Sequence, residues 1–135
     1  MRIHGDFHPF NLLFTDQSEL SLLDASRGSA GDAADDVCAL AVNFLFFALE
    51  NEQRWATCFQ PLWRRFWTSY QELSRDVELL NVVAPFLAWR GLVLANPVWY
   101  PHVTSSARSR LFDFIEAALL APRFNPDFAE LIFGH

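Results

Sequence analysis

Near the start of the sequence, His4, Asp6, His8 and Asn11 stand close together, and Asp24 follows after two short apolar runs. Asp and Asn side chains are hard oxygen donors. A loop ending in Asn, a short hairpin and an Asp just past its second strand can aim three such side chains at one place. Magnesium and a nucleoside triphosphate need that geometry. The metal takes carboxylate and amide oxygens in an octahedron, while a separate carboxylate orients the attacking hydroxyl. A second acidic group, Asp32, Asp35 and Asp36, stands just after Gly31.

The elements that must position these residues are readable from patterning. Leu12–Phe14 and residues 20–23 are apolar runs around a polar segment at 16–19, which predicts a β-hairpin. Pro9 stiffens the loop just before Asn11. Residues 29–31 lead into a predicted helix whose start carries Asp32, Asp35 and Asp36, where carboxylates meet unpaired N–H groups and the positive dipole end. Val37, Leu40, Ala41, Phe44, Leu45 and Ala48 then recur at helical spacing. A second stripe, including Phe59, Leu62, Trp63, Phe66, Trp67, Tyr70 and Leu73, predicts another helix with an aromatic core face. A third helix is expected from about Asp76 to Ala95, kinked at Pro85, with residues 97–101 as an extended linker. Ser105 or Ser106 is the expected cap of a fourth, and Asn125 before Pro126 starts a last short one.

The expected fold class is therefore mainly α with a small β-hairpin. It forms a single domain over residues 1–135: a loop and hairpin over about 1–31, then a helical subdomain over about 32–135.

The wording His4-Gly5-Asp6-Phe7-His8-Pro9-Phe10-Asn11-Leu12-Leu13-Phe14, followed by Leu22-Leu23-Asp24, resembles the aminoglycoside phosphotransferase and choline kinase family. The same His, Asp and Asn spacing occurs in the catalytic loop of protein kinases. The segment Gly31-Asp32-Ala33-Ala34-Asp35-Asp36-Val37 resembles that family's Gly-Asp-Pro-Ala-x-Asp-(Leu/Val) segment. The resemblance implies the C-terminal lobe of a protein-kinase-like α+β fold that moves the γ-phosphate of ATP to an alcohol through Mg2+. It implies Asp6 as the carboxylate facing the substrate hydroxyl and Asn11 and Asp24 as the metal ligands. Asp36 would bond back to the catalytic-loop main chain. His4 is a base, a metal ligand or a structural residue, and the resemblance favours the last. Arg27 either steadies phosphate or the Asp24 loop, or is a solvated charge. His8 is expected to make an ordinary polar contact.

The resemblance covers only the C-terminal half of the family. The sequence contains no lysine, and no strand-rich segment precedes the loop. The family's nucleotide-binding lobe is thus expected from a partner chain, or to be missing through truncation or a misplaced start codon, and the isolated chain is expected to have little or no activity. Trp89, Arg90, Trp99 and Tyr100 either line the substrate pocket or pack in the core.

Composition bounds the rest. Over half of the residues are hydrophobic, more than a small domain easily hides, so some of that surface is expected to meet another copy or another chain. A net charge of −6 argues against nucleic acid and is compatible with a cationic small-molecule alcohol as substrate. No run reaches membrane-spanning length, no signal peptide is expected because Met1-Arg2-Ile3-His4 runs straight into the motif, and Cys38 and Cys58 lack metal-ligand spacing. A cytoplasmic protein with reduced thiols is expected. Two rival readings remain. One is a non-catalytic kinase-lobe module that binds a partner. The other is a calcineurin-like metallophosphatase built on Asp6-Phe7-His8 and Gly31-Asp32-Ala33-Ala34-Asp35, which leaves Asn11 and Asp24 without roles.

Overall fold

A computed structural model describes residues 1–25 and 30–134. Among these, the chain is mainly helical with one small antiparallel sheet. After a single 3-10 turn at Pro9–Asn11 come β1 (Leu12–Phe14) and β2 (Leu20–Leu22). They pair in the register Leu12↔Leu22, Leu13↔Ser21 and Phe14↔Leu20. The turn between them closes through Thr15 N–H to Glu19 O at 2.9 Å, with Ser18 in the left-handed region.

Helix α1 (Ala33–Glu50) begins where the Asp32 carboxylate accepts from Ala34 N–H at 2.9 Å. A turn of π-helix at Trp55–Phe59 feeds α2 (Gln60–Ser74), which stops at Arg75, a left-handed residue donating to Gln71 O. α3 (Leu79–Ala95) carries Pro85 inside it. It starts later than the pattern predicts. Asp76 stays outside and accepts from Glu78 N–H and Leu79 N–H, each at 3.1 Å. The cap of α4 (Ser105–Leu120) is Thr104, whose hydroxyl accepts from Ala107 N–H at 3.1 Å; the expected Ser105 and Ser106 are already helical. Asn125 caps a 3-10 turn at Pro126–Ala129 that runs into α5 (Glu130–Phe133). Residues 97–101 are turned and not extended. Asn96 takes Val98 N–H on its side chain at 2.8 Å and Tyr100 N–H on its carbonyl at 2.9 Å.

α3 packs against both α1 and α4, and its buried residues are distributed around it, as a central helix requires. Gly91 on α3 permits this approach, since a Cβ there would lie 3.0 Å from Ile115 of α4. The aromatic stripe of α2 splits. Trp63 and Trp67 are fully buried and pack edge to face at 5.4 Å, with Phe124 beside Trp67 at 5.3 Å. Leu62 and Leu73, expected in the same stripe, are exposed. No helix among the described residues is long and apolar enough to cross a membrane.

Candidate active site

The loop before β1 is shaped by His4 and Asp36. His4 is buried, and both of its ring nitrogens meet main chain. Nδ1 accepts from Asp6 N–H at 3.3 Å, which leaves the ring proton on Nε2 to donate to Leu23 O at 2.8 Å. Asp36, in the first turn of α1, accepts His4 N–H on Oδ2 at 2.6 Å and Gly5 N–H on Oδ1 at 2.8 Å. A carboxylate holding two main-chain donors at a helix start is favoured by both the hydrogen bonds and the helix dipole. Gly5 has φ 83°, a conformation that a side chain would disfavour, and this bend turns the chain into Asp6.

Asn11 closes the loop. Its amide nitrogen donates to Asp6 O at 3.0 Å and approaches His8 Nε2 at 3.3 Å. Only the nitrogen of an amide can donate to a carbonyl, so the side-chain oxygen faces the other way. Its main-chain oxygen accepts Leu23 N–H at 2.9 Å, which puts Asn11 opposite Leu23 in the hairpin register and Asp24 one residue beyond. Asp24 is exposed and has φ 53°. Among the described residues, Ser18 in the hairpin turn and Arg75 at the end of α2 share this conformation, and Asp24 directly precedes Ala25, which is already in 3-10 conformation. Strain of this kind is kept where surrounding contacts over-determine the backbone. Here the pairing of Asn11 with Leu23 and the His4 bond to Leu23 O hold the residue just before it.

The loop bearing Asp6, the Asn11 amide and the exit carrying Asp24 thus share one end of the hairpin. Asp6 is half-buried, with Oδ2 3.7 Å from His8 Nε2. His8 Nε2 must act as acceptor toward the Asn11 amide, and the contact with Asp6 becomes an ion pair only when the ring is protonated. Among the described residues, no group of three or more His, Cys, Asp and Glu side chains gathers as a metal site. The donor set offered by Asn11 and Asp24 is an amide and a carboxylate oxygen. That suits Mg2+, which keeps several waters and takes few protein ligands beside substrate phosphates. Arg27 lies outside the described residues.

The acids needed by the phosphatase reading have other partners. Asp32 caps α1, and Asp35 accepts from Arg90 at 2.9 Å. Nothing in local spacing links Asp35 to Arg90, which is one reason the pair escapes a reading of the sequence. His8 was expected to make only a polar contact, but it also forms part of a cleft wall.

That cleft, about 390 Å³, opens between the loop and the helices. His8 and Phe10 line it from the loop, Phe46 from α1, Arg90 and Leu94 from α3, and Tyr100 from the turn after α3. Trp89 and Trp99, weighed with Arg90 and Tyr100 as pocket or core residues, are neither. Both are exposed, at 63%. A second recess of about 250 Å³ lies behind the loop between Ile3, Phe7, Val37 and Tyr70. Burial raises the Tyr70 hydroxyl above its ordinary value, with Asp76, Asp32 and Asp36 adding to the effect. Burial also pushes the Cys38 thiol far up, against a smaller opposing pull from Arg90.

Comparisons with protein-family models, with curated proteins and with solved structures find no match, so the functional reading rests on this geometry and on the sequence.

Proposed function

We propose that this chain is the catalytic, mostly helical lobe of a small-molecule kinase of the aminoglycoside phosphotransferase and choline kinase type, with a protein-kinase-like fold. The observation that supports this reading most is the pairing of Asn11 with Leu23, which brings the Asp6 loop and Asp24 to one end of the hairpin. Asp6 orients the substrate hydroxyl and receives its proton late in the transfer. Asn11 and Asp24 hold Mg2+, which when bound neutralises charge developing on the phosphates of ATP. His4 and Asp36 keep the loop in shape through their main-chain bonds. The cleft beside His8 receives the alcohol.

The sequence holds no lysine to grip phosphates. On this reading a lobe outside the described residues supplies that grip and covers the exposed apolar hairpin, where Leu13, Phe14 and Leu20 are exposed. The chain by itself then turns over little or no substrate. Joined to a nucleotide-binding lobe, Asp6→Ala lowers kcat by about 10²–10⁴-fold while leaving the Kd for Mg·ATP unchanged. Asp24→Ala weakens Mg·ATP binding as well. Turnover equal to wild type in both variants removes the assignment. A reading as a non-catalytic binding module draws on the same exposed hairpin, and it predicts that neither substitution alters partner binding.

A further inference from the structure

α3 carries an apolar side chain at almost every position, and Asn81 and Arg90 are its only polar ones. Arg90 reaches Asp35 of α1 at 2.9 Å. A helix that is apolar around its whole circumference is normally covered on every side. Leu80, Val83, Leu87 and Leu94 are indeed buried, as the packing of α3 on α1 and α4 requires, yet Val82, Pro85, Trp89 and Leu92 are exposed. Their spacing, three then four then three residues, is that of a coiled-coil seam, a stripe that packs on another helix.

α4 continues this strip. It runs antiparallel to α3, since Phe124 N–H donates to Leu80 O at 2.8 Å and Arg108 Nε to Ala95 O at 3.0 Å. Ile115 lies against Gly91 between the two helices. Phe112 and Leu119, one turn to either side of Ile115, stand on the same side of α4 and are exposed. None of Val82, Pro85, Trp89, Leu92, Phe112 and Leu119 is charged; Glu116 and Arg123 are exposed beyond them.

We propose that this strip is a dimer interface, on which a second copy of the chain packs α3 against α3, antiparallel, about a two-fold axis near residue 87. Side-chain size selects that direction. Antiparallel pairing sets Val82 of one copy on Leu92 of the other, and each bulky Trp89 on the small ring of Pro85. Parallel pairing would set Trp89 on Trp89 and leave Pro85 facing Pro85. Charge agrees with it. Glu78 accepts from the Asn81 amide at 3.1 Å, and Asn81 and Ala95, two heptads apart, lie along one edge of α3. Arg108 is held at that edge through Ala95 O. The two-fold brings Glu78 of each copy level with Arg108 of the other, so one surface supplies both halves of the match. Area permits a specific contact. α3 and α4, of 17 and 16 residues, present a face roughly 25 by 20 Å in projection, whose side-chain relief approaches the ~800 Å² that each partner buries in a standard interface.

The test is sedimentation velocity on the full chain at about 1–100 μM, where a dimer of micromolar Kd is expected. Trp89→Glu puts a charge in the middle of the strip and should weaken dimerisation at least about a hundredfold, and Leu92→Arg should do the same. Both side chains are exposed in the monomer, so thermal stability should hold. Glu78→Arg should weaken the dimer by about tenfold, and added salt should shrink that difference. Leu13→Glu on the hairpin and Leu73→Glu on α2 should leave the dimer intact. In unmodified protein mixing labelled with unlabelled copies, methyl NOEs should join Val82 of one copy to Leu92 of the other.

A monomer across that concentration range overturns the proposal. So does a dimer that survives both Trp89→Glu and Leu92→Arg, or one dissociated by Leu13→Glu or Leu73→Glu. NOEs joining Val82 only to Val82 also overturn it, and that readout needs no variant to fold. A monomer that binds phosphatidylcholine vesicles, and loses them in Trp89→Glu, would make the strip a lipid-facing surface instead. Dimerisation is read without nucleotide or alcohol, so its failure leaves the kinase reading untouched, and the reverse holds too.

Discussion

Asp36 carries more of the loop's geometry than any residue that faces it. Its two oxygens each take a separate main-chain N–H, from His4 and Gly5, so neither can be lost without leaving a donor unmet. Asp36→Asn keeps the shape but turns one acceptor into an NH2 group facing a donor. We expect it to lower unfolding stability by about 2–3 kcal/mol, read from urea midpoints, and to speed amide exchange at His4 and Gly5. An unchanged midpoint with unchanged exchange would show that the clamp is incidental. Cys38 makes a different point at the same scale. Its Sγ–H faces Val83 O inside the core, and burial holds the thiol far above the ordinary value of 9.0, so it stays protonated. Native protein should therefore react with a thiol reagent at Cys58 first, and at Cys38 only on unfolding. Rapid labelling of both in the native state would contradict this.

At the scale of elements, the hairpin is the weak part and its base the strong one. Two three-residue strands with both faces largely in solvent are marginal by themselves. What fixes them is the base, where Leu23 N–H meets Asn11 O and Leu23 O meets His4. Amide exchange should thus be slow at Leu23 and fast toward Phe14 and Leu20; uniform protection would mean that the strands hold themselves. The helices have conventional ends. Thr104 supplies the α4 cap, and Thr104→Ala should cost about 1 kcal/mol in the urea midpoint, within the usual span for a lost cap. Ser105→Ala, one residue inside, should cost far less, and the reverse order would reassign the cap.

Across the whole molecule, two neutral groups tie stability to alkaline pH. Cys38 and Tyr70 both have pKa values raised in the fold, by burial first in each case. The folded state therefore keeps protons that the unfolded chain releases. Their contribution is complete below the ordinary values of 9.0 and 10.0 and declines as pH climbs past them. For Cys38 the slope is about 1.4 kcal/mol per pH unit once the unfolded thiol is ionised. Urea midpoints should fall between pH 8 and pH 10.5, and Cys38→Ala should flatten the fall relative to its own neutral-pH value. A midpoint independent of pH would place the titrating groups elsewhere. Exposed large apolar residues occur both on the hairpin and the turn before it, as at Phe10, Leu13, Phe14 and Leu20, and on the helices, as at Leu73, Trp89 and Leu120. This agrees with the expectation, from composition alone, of more apolar surface than the domain hides.

Local physics was legible in the sequence. Apolar residues at helical spacing mark α1, α2 and α4, short apolar runs around a polar turn mark the hairpin, and Asp32 and Asn125 announce element starts. These signals depend on neighbours a few residues away, which any sequence displays. Tertiary structure decided the rest, because it depends on which distant faces meet. It drew Arg90 to Asp35 across 55 residues and into the cleft while leaving Trp89 in solvent. It exposed Leu62 and Leu73 despite their place in the α2 pattern, since α2 turns only part of that stripe to the core. It folded residues 97–101 into a turn held by Asn96, and so set Tyr100 in the cleft wall. The sequence supplied the oxygen donors at Asp6, Asn11 and Asp24; their shared end of the hairpin follows from the register and from His4 and Asp36, whose partners are contributed by other segments of the chain.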